Sequence, residues 1–69
     1  MLNKKLVFIE QFTSEFNGKS YEIYTFLEPN LLMLIYGTDI PDIDELVPGT
    51  IYDCSLEVKG KKLKVTKVN

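Results

Sequence analysis

The pair Asn17-Gly18 constrains this chain more than any other two residues. A type I′ two-residue turn needs positive φ at both central positions, Asn and Gly accept that most readily, and long runs of β-favouring residues flank the pair. A hairpin centred there sets Phe16 opposite Lys19 and carries its register down both strands. One face then holds Leu6, Phe8, Phe12 and Phe16 with Tyr21, Ile23 and Leu27. The other holds Val7, Ile9, Gln11 and Thr13 facing Glu22, Tyr24, Phe26 and Glu28. Acids and Gln edge the second face, so the first is expected to be the core, and Ile9, Tyr24 and Phe26 are expected outside.

Pro29-Asn30 marks the next turn, and Leu31 to Tyr36 is apolar on both faces, as in a central strand closed by Gly37. Two registers are open for it. With Pro29 and Asn30 alone in the loop, Tyr36 joins Leu32 and Leu34 on the core side. One more loop residue puts Tyr36 beside Tyr24 on the outer side, and the poor fit of Pro-Asn to a primed turn favours this longer loop. Beyond Asp39, Asp42 with Glu45 three residues later has capping-box spacing, and Pro48-Gly49 ends anything helical that starts there. A short helical turn is expected. Tyr52, Cys54, Leu56 and Val58 then alternate with Ile51, Asp53, Ser55 and Glu57 as a half-buried strand. Lys59-Gly60-Lys61 turns the chain back, with Leu63 and Val65 inward, Lys62, Lys64 and Thr66 outward, and Glu57 facing Lys62 or Lys64.

Composition narrows the functional classes. The 69 residues contain no His, no Trp, no Arg and no Ala, and one Cys. Most metal sites and nucleophile-base pairs cannot be built from such a set, so an enzyme is not expected, nor a cofactor. The acids around Asp42 lack the loop spacing and turn Gly of a calcium motif, which leaves capping and solubility as their role and no metal site. Without Ala the best helix former is missing, while Val, Ile, Thr, Phe and Tyr favour strands. One domain over 1–69 is expected, at a length where only about 60% of the unfolded surface is buried. The apolar run Leu6 to Ile9 after Lys4 and Lys5 is too short for a signal peptide or a membrane span. Cys54 has no partner for a disulfide and reads as a buried small hydrophobe, so a cytoplasmic protein with no membrane partner is expected.

The net charge of −2 hides a division along the chain. Six acids and no Lys lie between Asp39 and Glu57, whereas five Lys and no acid lie between Lys59 and Lys67. Three strands, a helical turn and two strands gain by closing into a barrel, since closure removes exposed edges. Placing the turn between the third and fourth strands selects an oligonucleotide-binding (OB) barrel over an SH3-like one. The expected class is thus all-β, a small five-stranded OB-like barrel. The first hairpin with Asn17-Gly18-Lys19 and Tyr21, the Phe26 to Pro29 end of the second strand, the Leu46 to Thr50 entry and the Lys-rich last hairpin resemble a minimal OB domain. It is similar to the small single-stranded-DNA-binding OB proteins of bacteriophages and mobile elements. That resemblance implies a single strand lying across strands two and three, between the first and last hairpin loops.

Single-strand binding needs flat side chains for bases and cations for phosphates. Tyr24, Phe26 and Tyr36 are the candidate stacking platform, and Lys19, Lys59, Lys61 and Lys62 the cationic rims, joined by Lys64. With no Arg for bidentate guanine contacts, binding to DNA or RNA is expected to be salt-sensitive and weakly selective. Each candidate also has a plainer reading: aromatics as core, lysines as a solvated face or as edge protection. The alternative function is a protein-interaction or homo-oligomer module built on Ile9, Tyr24 and Phe26, with either Met33 and Ile35 or Leu34 and Tyr36, bordered by Glu22 and Glu28, which repel phosphate.

Overall fold

The turn forms as its residues require. Asn17 and Gly18 take φ of 53° and 74°, and Phe16 pairs with Lys19. The computed structural model describes residues 2–69, in five strands: β1 Leu2–Phe16, β2 Lys19–Glu28, β3 Met33–Thr38, β4 Ile51–Lys59 and β5 Lys62–Val68. They close in the order β1-β2-β3-β5-β4, with β1 returning to pair with β4. All pairings are antiparallel except β3 with β5. The result is an all-β closed barrel, consistent with an OB-like fold.

Closure is possible because β1 serves two partners. Its first part, Leu2 to Val7, pairs with β4, and from Val7 onward it pairs with β2. Just past this change of partner the register slips: Phe8 faces Phe26, Glu10 faces Thr25, and Ile9 is the extra residue of a β-bulge. A bulge bends its strand and sharpens the local twist, which a barrel of few strands requires. Two backbone bonds hold the bend, Phe8 N–H to the Thr50 carbonyl at 3.0 Å and Gly49 N–H to the Phe8 carbonyl at 2.8 Å.

The bulge decides which side chains are inside. An extra residue moves every later side chain of β1 to the other face, so Leu6 and Phe8 point inward while Phe12 and Phe16 point out. On β2 the even residues turn in, and Tyr24 and Phe26 are 6% and 0% exposed. The expected core face of this hairpin is therefore corrected: Phe12 and Phe16 are exposed, and Tyr21, Ile23 and Leu27 are half-buried. The core is Leu6, Phe8, Tyr24, Phe26, Ile35, Ile40, Cys54, Leu56 and Val65. Phe8 and Phe26 meet edge to face at 5.5 Å, a contact worth about 0.5–1.5 kcal/mol beyond the area it buries.

The two barrel ends are closed differently. Near the β2–β3 loop the buried Glu28 accepts the Asn30 N–H at 2.9 Å and lies 3.9 Å from the Lys4 ammonium. At the other end residues 39–50 cross the opening, with Ile40 buried and Ile43 and Leu46 packed beneath. No helical turn forms there. Asp42 sits at φ 53°, outside the extended range an N-cap needs. Asp39, at φ 47°, accepts the Glu22 N–H through Oδ1 at 2.9 Å while its own N–H donates to the Glu22 carbonyl at 2.8 Å. Tyr52 Oη accepts the Val47 N–H at 2.8 Å, tying the connection to β4.

Gly37 lets β3 approach β5. A Cβ there would lie 2.5 Å from Ile40 Cδ1 and 2.8 Å from the Val65 carbonyl oxygen, and the second of these is backbone that cannot swing aside. Gly37→Val is expected to lose about 1–3 kcal/mol or more in urea unfolding; a stability equal to wild type would show that β3 and β5 do not meet this closely. Burial, and after it the charge of Asp53, push the Cys54 thiol up to about 11. A folded-state pKa above the unfolded value stabilises fully below the unfolded pKa and is lost as pH rises through the folded one. Cys54→Ala is accordingly expected to lose less of its stability between pH 8 and pH 11 than wild type does, and parallel pH profiles from urea titrations would refute this.

Candidate nucleic-acid interface

The outer face of the barrel is built from cross-strand rows. One row runs Glu10, Thr25, Tyr36, Lys64 and Glu57 across β1, β2, β3, β5 and β4. Beside it lies the row Phe12, Ile23 and Thr38, and on its other side the row Val7, Leu27 and Leu34. Directly paired residues share a face, so these side chains all stand on the outside of the closed barrel, and those of β1, β2 and β3 lie side by side. Tyr36 is 45% exposed and Phe12 44%. Leu34 is exposed as well, while Ile23 and Leu27 are half-buried between them.

Two of the expected platform residues are elsewhere. Tyr24 and Phe26 lie in the core and present no ring to solvent, a direct consequence of the bulge at Ile9. Of the patch expected around Ile9, Tyr24 and Phe26, Ile9 is exposed as the bulge residue, and of its expected β3 companions Met33, Leu34 and Tyr36 are exposed while Ile35 is buried. Burial first, then the charges of Glu22 and Asp39, raise the Tyr24 phenol above its usual pKa, so it stays neutral. Tyr36 does face outward, beside Thr25 rather than Tyr24. Phe12, like Phe16, is an aromatic that the hairpin register alone assigns to the core. The signal that finds it is the second pairing of β1, because a strand shared between two neighbours must bend somewhere.

The β2–β3 loop spans four residues, 29–32, with Glu28 paired to Met33. Its even length keeps Tyr36 on the side of Ile23 and Leu27, as a two-residue loop does. That side is the outer one, since the bulge has reversed the faces.

The lysines bracket this surface. β1 and β2 continue past the last β3 partner of β2, Ile23, as a two-stranded arm whose tip carries Phe16 and Lys19. At the other end the β4–β5 turn carries Lys59, Lys61 and Lys62. Among the described residues none of these, nor Lys64, has a carboxylate within 4.0 Å. Glu57 is opposite Lys64 in register, as expected, without forming a short ion pair. Strand alternation puts Glu22 on the opposite face of the hairpin from this platform, where Gln11 Nε2 at 2.9 Å and Thr13 Oγ1 at 3.0 Å both donate to its carboxylate. The surface thus offers two rings and an aliphatic floor, cations at both ends and one cation in the middle. Glu10 and Glu57 are the acids in its central row.

Among the described residues no three His, Cys, Asp or Glu side chains are gathered to hold a metal ion, and no helix is long and apolar enough to cross a membrane. No protein-family model and no curated protein sequence matches the chain.

Proposed function

We propose that the protein binds single-stranded nucleic acid, DNA in the first instance, without sequence preference, across the outer face of β1, β2 and β3. The observation that carries this reading is Tyr36, an exposed ring in the middle of a cross-strand row, with Lys64 as its neighbour on β5 and Phe12 one row away. The order β1-β2-β3-β5-β4 with its parallel β3–β5 pair supports an OB-like identity for the barrel. OB barrels take oligonucleotides on the face of strands two and three, between the first and last hairpin loops. The likeness to phage and mobile-element proteins rests on the turn placement in the sequence.

In this reading bases stack on Tyr36 and Phe12. The two rings lie two strand spacings and one row apart, ~12 Å, so they serve different nucleotides. Lys64 and the turn lysines Lys59, Lys61 and Lys62 follow the phosphates on one side, and Lys19 on the arm meets the strand on the other. Lys supplies point charge without the planar fork that reads guanine, so the complex discriminates single strand from duplex more than one base from another. A protein-docking role for the same face is favoured by Leu34, an exposed aliphatic that offers nothing to phosphate, and by Glu10 and Glu57 in the central row.

Fluorescence anisotropy with labelled oligo(dT), a mixed-sequence single strand and a duplex separates the two roles. Both single strands are expected to bind at low salt and the duplex poorly, with affinity falling as salt rises by a slope of about 0.7 per phosphate contacted. Tyr36→Ala and Phe12→Ala are each expected to weaken binding by about 1–3 kcal/mol, roughly 5- to 150-fold, while the fold persists. No binding of single strands at low salt would overturn the proposal and leave the face to a protein partner.

A further inference from the structure

The strands β3 and β5 run in parallel, so both begin at one end of the barrel and finish at the other. At the starting end the β2–β3 loop holds Leu31 and Leu32, 64% and 78% exposed, with Leu32 in the left-handed region at φ 51°. The β4–β5 turn at that same end carries Lys59, Lys61 and Lys62. At the finishing end the connection after β3 and the last residues of β5 frame a groove of about 160 Å³. Half-buried Ile43, Leu46, Tyr52 and Val68 form its floor, and exposed Asp42, Asp44 and Glu45 with Asn69 form its rim.

We propose that copies of this chain associate head to tail, the Leu31-Leu32 tip of one seated in the acid-rimmed groove of the next. Each surface supplies what the other lacks. Two leucines held out in water need an apolar cover, and the groove has an apolar floor. Three lysines without acid partners among the described residues meet three carboxylates. The chain thus contains both halves of a complementary contact, and this singles out a second copy as the occupant. Because the halves lie at opposite ends of one barrel they cannot satisfy each other within a molecule. The contact is heterologous, so it propagates along a row of copies rather than closing as a dimer. A tip and a small groove make a small interface, weak and dependent on charge. The proposal does not rest on nucleic-acid binding, since neither Tyr36 nor Phe12 takes part; Lys59, Lys61 and Lys62 serve both surfaces, so a bound single strand competes with association for them.

Sedimentation velocity of the protein alone tests it. The average mass is expected to rise with concentration at low salt and to return to the 7.9 kDa monomer in ~1 M salt, where screening acts over about 3 Å. A Leu31→Ser, Leu32→Ser variant and an Asp42→Lys, Asp44→Lys variant, each checked for a wild-type circular dichroism spectrum, are expected to stay monomeric alone. Glu45→Lys replaces the second variant if it fails to fold. Mixed in equal amounts, the tip and groove variants are expected to give a dimer and nothing larger, since only one productive contact remains. A wild type monomeric at every concentration in low salt, or a mixture that stays monomeric, would overturn the proposal. Loss of association with the tip variant but not the groove variants would assign the leucines to another surface, and loss with Phe12→Ser, Tyr36→Ser would move the contact to the sheet face; either result also overturns it.

Discussion

The extra residue at Ile9 is the constraint on which the rest of this barrel depends. β1 must pair with β4 in its first half and with β2 in its second, and a straight strand cannot face both. The bulge supplies the bend, and the carbonyl and amide of Phe8 hold it by bonding to Gly49 and Thr50. The same residue sets the chemistry of both surfaces. With Phe8 brought opposite Phe26, the even side of β2 turns inward and two aromatics become core. Phe12 is carried outward at the same time and Tyr36 follows on β3, so the bend that closes the barrel also creates the exposed rings.

Closure elsewhere depends on small clearances and on the connection between β3 and β4. Gly37 gives Ile40 and the Val65 carbonyl room to close over the end of β3. Ile40, Ile43 and Leu46 then fill the barrel mouth that a helix would otherwise cover. Keeping that segment free of helix leaves its acids at one end of the molecule, while the parallel run of β3 and β5 leaves the turn lysines at the other. The division of charge along the sequence therefore becomes a polarity of the folded barrel. Local fields, rather than the small net charge, govern what each end attracts.

Much of this was legible in the residues. Asn17-Gly18 sets the tip register of the first hairpin, and period-two alternation places Cys54 and Leu56 inside with Leu56 opposite Val65. What was not legible is the bulge: Ile9 is neither Gly nor Pro, and its need arises from β4, more than forty positions away in the chain. Local pairing rules extend a register without interruption, and so they place Tyr24 and Phe26 outside and Phe12 inside. The helical turn fails for a related reason. Capping-box spacing at Asp42 and Glu45 describes a local preference, whereas Asp39 is drawn to the Glu22 backbone and the chain passes through positive φ at Asp39 and Asp42. Of the lysines, those in the two hairpin turns stand at the barrel's flanks because turn position is a local property.

The inversion of the sheet faces is tested most directly by solution NMR with a soluble paramagnetic probe. Strong broadening of the Phe12 and Tyr36 ring signals, protection of Tyr24 and Phe26, and ring-to-ring contacts between Phe8 and Phe26 are expected. Broadened Tyr24 and Phe26 rings beside a protected Phe12 would contradict the inversion, since they would mean that β1 pairs with β2 without a bulge.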